Sequence, residues 1–371
     1  MVILLPSYRR TATLPWVLKS IFQADVSGIN ERVLILLHNN HPASRGAIDE
    51  MLAQKTWQDP FSVQVIHRDK TVVPLEGWFE ALLSLAQEGE TLMLLGDDDL
   101  ITPWGIRNRH REINRMQGDF LLSSFVSRIY FFDEATLVWP DHGDIKVPHG
   151  TEGATDWVFT SEGHMHTTFI SNHCYRNTPI FRKALALAFD WCGAQAWAGR
   201  VFATGLLPSY LPYTVQACGG KVLSLPERSV IRGSIFEEAI QQDYADCGTV
   251  SFYSLLALNT FSNPSLHKDF QRYADLREVY LKSLRAGLIE NLFNRHITFT
   301  MLQDGLRATG LKWSYLIGSE SFHRRTLLRC LPFFRGWHLK RVNHNRTALL
   351  ATQQFIKYLR QLYEERMYSN F

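Results

Sequence analysis

Three consecutive carboxylates follow a short apolar run in the first third of the chain. Residues 92–95 are apolar, Gly96 ends the run, and Asp97, Asp98 and Asp99 come directly after it. An apolar run bounded by Gly and Pro is typical of a buried strand. Adjacent carboxylates repel one another unless a cation lies between them, and oxygen ligands suit Mg²⁺ or Mn²⁺. The triplet therefore predicts a divalent metal site at a strand end, and a solvated acidic turn is the alternative.

Polar clusters also follow the three preceding apolar runs. The predicted strands cover 2–5, 32–37, 63–66 and 92–95, and the clusters that follow them cover 6–10, 38–42, 67–70 and 97–99. Helical patterns separate the strands, over 14–21, 44–55 and 76–87. Strands that alternate with helices predict βαβ units and a mostly parallel sheet. Because ligands bind at the carboxyl ends of such strands, we expect the four clusters to form one site.

The remainder of the chain is predicted as follows: a helix over 106–116 with a basic outer face (Arg107, Arg109, Arg111, Arg115), a strand over 120–132, an irregular segment over 133–165, helices over 179–189 and 194–204, and a strand over 221–225. A long irregular segment inside a domain is typical of a lid or an acceptor-binding region. From about residue 235 the apolar spacing predicts helices throughout. We therefore expect a catalytic domain over 1–235 and a helical, basic extension over 236–371.

Composition excludes several classes of protein. A hydrophobic content of 46% argues against disorder. The five cysteines are widely spaced and form no CxxC pair, which is typical of a reducing compartment. No signal peptide or membrane-spanning run is visible, so we expect a cytoplasmic protein. Residues 1–250 hold 21 Lys/Arg and 28 Asp/Glu, whereas residues 251–371 hold 18 and 8. The basic part is expected to meet an anionic partner.

Residues 324–346 combine cations with Leu, Phe and Trp. Basic amphipathic segments with aromatic residues bind anionic membrane surfaces, so a peripheral membrane contact is one interpretation. A helical domain with a solvated basic face is the alternative. Nucleic-acid binding is disfavoured because no recognition motif accompanies the cations.

The first hundred residues resemble the family-2 glycosyltransferases. The resemblance rests on Pro-Ser-Tyr-Arg-Arg at 6–10, on the helix at 75–82 and on Gly-Asp-Asp-Asp-Leu-Ile-Thr-Pro at 96–103, in that order. It implies a GT-A fold (α/β, Rossmann-like, with a mostly parallel sheet) and transfer of a sugar from a nucleotide-sugar, a UDP-sugar being favoured. It further implies inversion, a glycan or lipid-linked acceptor, and bacterial surface polysaccharide assembly at the inner face of the membrane.

The resemblance also implies roles for residues outside the triplet. The nucleotide base and ribose would meet the first turn, with Tyr8 as a stacking face, and the diphosphate would meet a late basic residue. The candidate nucleotide-sugar-binding residues are Pro6, Ser7, Tyr8, Arg9, Asn39, Arg68, Asp69, Asp97 and Arg232. Asn39 stands where the family places an acid that recognises the base, so the choice of nucleotide stays open.

The acidic triplet resembles the family's DxD element, although Gly96 stands where many members have an acid. The resemblance implies that Asp98 binds Mn²⁺ or Mg²⁺, that Asp97 contacts the ribose, and that Asp99 is a ligand or an orienting group. The ion would neutralise the charge that develops on the departing nucleoside diphosphate.

An inverting transferase needs a general base for the acceptor hydroxyl. The family's usual acid aligns with Gln195, which cannot act as a base, so Asp190 is the candidate. Glu162, His164 and His166 are the further candidates. A non-catalytic nucleotide-sugar-binding or scaffold homologue and a sugar nucleotidyltransferase are the rival functions, the latter disfavoured because residues 6–13 contain no glycine-rich phosphate loop.

Overall fold

The computed structural model describes residues 1–53, 60–133, 136–138, 158, 166–167, 169–194, 207–235, 299–308 and 310–314. The strands are β1 Val2–Ser7, β2 Val33–Asn39, β3 Phe61–His67, β4 Thr91–Leu94, β5 Leu100–Ile101, β6 Phe120–Asp133, β7 Thr136–Val138, β8 His173–Arg176 and β9 Val222–Ile235. The α-helices are α1 Leu14–Phe22, α2 Arg45–Ala53, α3 Pro74–Leu85, α4 Gly105–Arg115, α5 Pro179–Ala194, α6 Leu207–Ala217 and α7 Phe299–Ala308. Short 3₁₀ turns cover Pro42–Ser44 and Ile170–Asn172.

The strands form one sheet in the order β3-β2-β1-β4-β8-β6-β9-β5, with β7 paired to β6. β1, β2, β3 and β4 are mutually parallel, whereas β8 pairs antiparallel with β4 and β6, and β5 with β9. The α/β fold predicted from the sequence is confirmed. The antiparallel strands extend the sheet beyond its four parallel strands.

The central strands are buried along their whole length because helices cover them. Every residue of β1, β2 and β4 is buried. α3 packs on β1 and β2, and α4 packs on β4 and β8. Strands that are covered on both faces have continuous apolar runs, since neither face meets water. This arrangement fixes the carboxyl ends of β1, β2 and β4 at one edge of the sheet.

Three sequence predictions need correction. The predicted strand at 221–225 continues through Pro226 to Ile235, since proline removes only its own N–H from a strand ladder. α6 was not predicted, because it contains Pro212 inside the helix. Its packing against α5, where the Trp191 and Tyr210 rings lie 6.0 Å apart, stabilises it. Arg109 does not belong to the predicted basic outer face of α4, because it is buried, with 1% of its surface exposed.

The chain divides into two compact units. The first comprises Met1–Arg128 and His142–Ser234, and the second comprises Ile129–Asp141 and Ile235–Phe371. Of the extension predicted over 236–371, the structure describes only α7 and residues 310–314, so the basic segment 324–346 lies outside the described residues. Among the described helices, none is long and apolar enough to cross a membrane.

Candidate functional site

The acidic triplet lies between β4 and β5 and is largely buried. The side chains of Asp97 and Asp98 are 11% and 17% exposed. The turn is short because Asp99 N–H donates to the Gly96 carbonyl at 3.2 Å. The alternative of a solvated acidic turn is therefore wrong, and three carboxylates are confined at the carboxyl end of a central strand.

The turn after β1 is bound directly to the triplet. Tyr8 N–H donates to Asp97 Oδ2 at 3.1 Å, and the Thr13 hydroxyl donates to the Asp97 carbonyl. Tyr8 itself is 43% exposed, and its ring meets the His41 ring edge-on at 5.4 Å. The ring is thus partly open to solvent, and its predicted stacking on a base stays a prediction. Asp97 holds this turn in place, and its predicted contact with the ribose stays a prediction.

Pro6 and Ser7 end β1 and are both buried. The Ser7 hydroxyl has no hydrogen-bond partner among the described residues. Buried hydroxyls nearly always have a partner, so an unpaired one beside the triplet is consistent with a polar ligand at this edge.

Among the described residues, Arg10 forms ion pairs with the triplet. Its Nη1 lies 2.7 Å from Asp98 Oδ2 and 3.4 Å from Asp97 Oδ1. The Arg10 side chain is 21% exposed, so water screens this contact only partly. One guanidinium end thus neutralises oxygens of two adjacent carboxylates.

Asp99 is hydrogen-bonded by residues other than Arg10. The Ser171 hydroxyl donates to Asp99 Oδ2, and Gly233 N–H donates to Asp99 Oδ1 at 2.9 Å. Gly96 N–H in turn donates to Ser171 Oγ at 2.9 Å. The Asp99 carboxylate is therefore held by two elements that are far from it in the sequence. These are the 3₁₀ turn before β8 and the end of β9.

Arg232 reaches the site through strand pairing. β9 pairs with β5 so that Ile231 lies opposite Leu100, which places Arg232 beside Asp99. The Arg232 guanidinium carbon lies 3.9 Å from the centroid of the Phe169 ring. Stacking on an aromatic ring holds a guanidinium in a defined orientation. The structure thus places Arg232, a candidate diphosphate-binding residue, beside the acidic triplet.

Burial raises the pKa values of all three carboxyl groups. The pKa of Asp97 rises to about 6, although Arg10 opposes the rise. Burial and the neighbouring Asp99 hold the pKa of Asp98 well above its usual range. Burial also raises the pKa of Asp99, against the hydrogen bonds from Ser171 and Gly233. Arg10 and Arg232 are therefore not enough to make ionisation of all three carboxyl groups favourable. An additional cation beside the triplet would favour their ionised form.

The space above Gly96 tests whether a divalent ion fits. A Cβ on Gly96 would lie 3.0 Å from Asp99 Oδ2, 3.3 Å from Asp98 Oδ1 and 3.4 Å from Ser171 Oγ. Three oxygens of the type that Mg²⁺ and Mn²⁺ prefer therefore surround one small space. Among the described residues no group of three Asp, Glu, His or Cys side chains forms a closed metal site. Two carboxylates suffice for an ion that also binds substrate phosphates, so the residues fit such an ion.

The candidates from β2 and β3 are engaged within the protein. Asn39 is fully buried: its Oδ1 accepts from His41 N–H at 3.0 Å, and its Nδ2 lies 3.1 Å from His67 Nδ1. Recognition of a base by Asn39 stays a prediction.

Arg68 and Asp69 also have protein partners. Arg68 donates from Nε to His38 Nε2 at 2.9 Å and from Nη2 to Glu80 at 3.2 Å. Asp69 is 94% exposed and lies 3.6 Å from Arg45. The Arg68 guanidinium is thus directed towards α3, and a nucleotide contact for either residue stays a prediction.

Asp190, the candidate base, lies on α5 and is exposed. His166 is buried, and burial lowers its pKa to about 4. Glu162, His164 and Gln195 lie outside the described residues. The identity of the base therefore stays a prediction.

Sequence reasoning missed four residues that shape the site: Arg10, Thr13, Ser171 and Gly233. Arg10 and Thr13 lie at and just beyond the recognised turn, so their proximity to it was the available signal. Ser171 and Gly233 carry no local signal, since each reaches Asp99 only through tertiary folding.

No protein-family model matches the sequence, and a search of curated proteins finds no match. Solved structures do match. The structure of S. aureus TarS 1-349 in complex with UDP-GlcNAc has a TM-score of 0.52 and 13% identity, covering 83% of this chain and 79% of that one. A second crystal structure of S. aureus TarS 1-349 has a TM-score of 0.51 and 13% identity, covering 83% of this chain and 80% of that one.

The fold is of the GT-A type. The GT-A fold expected from residues 6–10 and 96–103 is thus confirmed. In this GT-A fold, the acidic triplet, Tyr8 and Arg232 share the carboxyl edge of the central strands, where α/β sheets bind ligands.

Proposed function

We propose that this chain is a metal-dependent glycosyltransferase that moves a sugar from a nucleotide-sugar to a glycan or lipid-linked acceptor, with inversion. The observation that carries the proposal is the oxygen set of Asp98, Asp99 and Ser171, flanked by Arg10 and Arg232 at the carboxyl edge of the sheet. A site with carboxylates for a cation and guanidinium groups for an anion suits a metal-bound diphosphate. The UDP-GlcNAc complex of TarS, which shares the fold, supports a nucleotide-sugar as the donor.

In this proposal, each residue has a physical task. Asp98 and Asp99 would hold Mn²⁺ or Mg²⁺, which supplies a Lewis acid for the departing nucleoside diphosphate. Ser171 and Gly233 orient Asp99, and Phe169 orients Arg232 towards phosphate oxygens. Tyr8 offers its ring to the base. Asp190 is the proposed base, as the carboxylate nearest in the sequence to Gln195, where the family's acid aligns.

Thermal unfolding with UDP, GDP and dTDP, each with and without Mn²⁺, tests the donor and metal assignments. We expect one nucleotide to stabilise the protein only when Mn²⁺ is present, by about 2.7 kcal/mol at a hundredfold excess over its Kd. Asp98→Asn should abolish the metal-dependent stabilisation. Equal shifts without metal would contradict the role of the triplet, and no shift with any nucleotide would overturn the proposed function.

Asp119→Asn is the matched control. Asp119 is a buried carboxylate that accepts from Lys221 N–H at 2.9 Å and from the Thr178 hydroxyl at 2.5 Å. Its carbonyl accepts from Arg176 N–H, and Arg176 pairs with Thr91 at the start of β4, so Asp119 lies at the opposite edge of the sheet. The control should unfold at a lower temperature yet keep the full Mn²⁺-dependent shift.

Turnover separates the enzyme from a non-catalytic binding protein. With the stabilising nucleotide identified, the corresponding sugar nucleotides are assayed for release of nucleoside diphosphate. We expect slow, Mn²⁺-dependent hydrolysis that Asp98→Asn abolishes and Asp119→Asn retains. Metal-dependent binding without turnover of any sugar nucleotide would indicate a nucleotide-sugar-binding protein instead.

A further inference from the structure

Arg10 covers the oxygen of Asp98 that points away from the space above Gly96. Arg10 Nη1 lies 2.7 Å from Asp98 Oδ2, whereas Asp98 Oδ1 borders that space together with Asp99 Oδ2. Both oxygens belong to one carboxylate, so the cation on one side weakens the attraction that the other side offers to a second cation. The site therefore contains a protein cation in direct contact with a candidate metal ligand.

The surroundings show why this contact matters. Asp97, Asp98 and Asp99 concentrate negative charge in a poorly hydrated place, and Arg10 is the cation among the described residues that is within hydrogen-bond distance of Asp98. The positive charge of Arg232 also acts on Asp98 and Asp99. Removal of Arg10 would leave Asp98 buried without its direct counter-charge, which is unfavourable unless another cation replaces it.

We propose that Arg10 is an exchangeable counter-ion: it competes with the divalent cation for Asp98, and the donor's diphosphate releases this competition by accepting the guanidinium. The inference rests on the proposed function, because it assumes a diphosphate and a metal at this site. A guanidinium binds phosphate oxygens with paired hydrogen bonds, so Arg10 exchanges one anionic partner for another. Metal binding is then weak without nucleotide and strong with it, and the coupling is reciprocal.

Binding of Mn²⁺ to the full chain tests the competition directly. Free Mn²⁺ is measured by electron paramagnetic resonance in titrations without nucleotide and with saturating UDP, or GDP if the wild type responds to GDP. For Arg10→Gln we expect Mn²⁺ to bind about tenfold more tightly without nucleotide, which is about 1.4 kcal/mol. With nucleotide present, Mn²⁺ should bind no more tightly than to the wild type, so the two effects do not share a sign.

Three control variants separate competition from a general change in charge. Arg232→Gln also removes one positive charge from the surroundings of the triplet, but Arg232 makes no direct contact with Asp98 among the contacts of the described residues. It should therefore raise Mn²⁺ affinity without nucleotide by clearly less than Arg10→Gln does. Arg115→Gln removes a cation that pairs with Glu112 on α4 at 2.7 Å and should leave Mn²⁺ affinity unchanged. Arg10→Lys, which keeps the charge, should remain close to the wild type.

The outcomes separate this inference from the proposed function. If Arg10→Gln folds, by circular dichroism, and its Mn²⁺ affinity without nucleotide equals or falls below that of the wild type, the competition is excluded and Arg10 only positions the triplet. The same conclusion follows if neither protein binds Mn²⁺, or if Arg232→Gln has an equal effect. If Arg10→Gln alone gains Mn²⁺ affinity while no nucleotide binds any form, the competition holds and the proposed function fails.

Discussion

Arg9 has a backbone conformation that few side chains adopt. Its φ is 64°, in the left-handed region, and its guanidinium carbon lies 5.1 Å from the centroid of the Tyr8 ring. A non-glycine residue in this region is destabilised by about 1 kcal/mol, and such strain is frequent at binding sites. The strain lies in the turn that Asp97 holds through Tyr8 N–H, so the fold retains this conformation against a local preference.

The order of stability of two substitutions tests this strain. Arg9→Ala keeps the strain and loses the side chain, whereas Arg9→Gly loses the side chain and relieves the strain. We expect Arg9→Gly to be more stable than Arg9→Ala by about 1 kcal/mol in urea unfolding, the reverse of their usual order outside turns. Equal stabilities, or a more stable Ala variant, would show that the turn is not strained at this residue.

At the residue scale, the strand-end pattern predicted that the acidic triplet and Tyr8 lie at one edge of the sheet, and the family resemblance added Arg232. The sequence could not predict which residue pairs with each carboxylate. Asp98 binds Arg10 and Asp99 binds Ser171, and these partners come together only when the chain folds. Side-chain partners that are more than 70 positions apart leave no trace in local spacing.

At the scale of elements, α4 connects the interior to the site. Arg109 donates from Nη1 to the Ser171 carbonyl at 2.8 Å and from Nε to the Gly105 carbonyl at 3.2 Å. Burial lowers its pKa to about 10, and among the described residues no carboxylate pairs with it. A buried guanidinium without an acid is unfavourable for stability, and its hydrogen bond to the Ser171 carbonyl links Arg109, through Ser171, to Asp99.

Replacement of Arg109 should separate stability from binding. Arg109→Met removes a buried charge, so the free energy of unfolding should change by no more than about 2 kcal/mol in either direction. The Kd of the Mn²⁺-nucleotide complex should nevertheless rise several-fold, because Ser171 loses its anchor. The Kd is measured by calorimetry, and Arg111→Met, on the exposed side of the same helix, is the control. A destabilised variant with an unchanged Kd would assign Arg109 a structural role alone.

The elements themselves were largely predictable where one pattern dominated. Strands β1, β2 and β4 are continuous apolar runs and α1 to α4 are amphipathic, so their positions followed from the sequence within a few residues. β8 and α6 did not follow. β8 is four residues long and gains its pairing from β4 and β6, while α6 contains an internal proline that only packing against α5 can offset.

At the scale of the whole molecule, the sequence predicted the parallel part of the sheet, since βαβ order determines it. The antiparallel part depends on segments separated by more than seventy residues, such as β4 and β8. β8 and β9 bring Ser171, Arg232 and Gly233 to the triplet. This side of the site was hard to predict because the strands that position it were hard to predict.

Buried neutral histidines should make the fold sensitive to acid. Burial lowers the pKa of His38 to about 4, with Arg68 contributing, and burial lowers that of His173 to about 3. In the unfolded chain both titrate near 6.5. Between the lowered pKa of the folded state and 6.5, each histidine binds more protons in the unfolded state than in the folded state. The free energy of unfolding that the two histidines contribute is therefore fully present above about pH 6.5 and falls as the pH decreases. Asp97, with a raised pKa of about 6, opposes this trend over the lower part of the range.

Substitution of His173 isolates one histidine from these opposing effects. His173 Nδ1 lies 2.8 Å from the Tyr175 hydroxyl and Nε2 lies 2.9 Å from the Thr167 carbonyl, so the neutral ring satisfies both partners, with Nε2–H as donor. His173→Gln should reduce the loss of unfolding free energy between pH 6 and pH 5 by about 1 kcal/mol per pH unit in urea titrations. Tyr175→Phe, which removes a partner but keeps the buried histidine, should lower stability at both pH values and leave the slope unchanged. An unaltered slope in His173→Gln would show that His173 does not contribute to acid sensitivity.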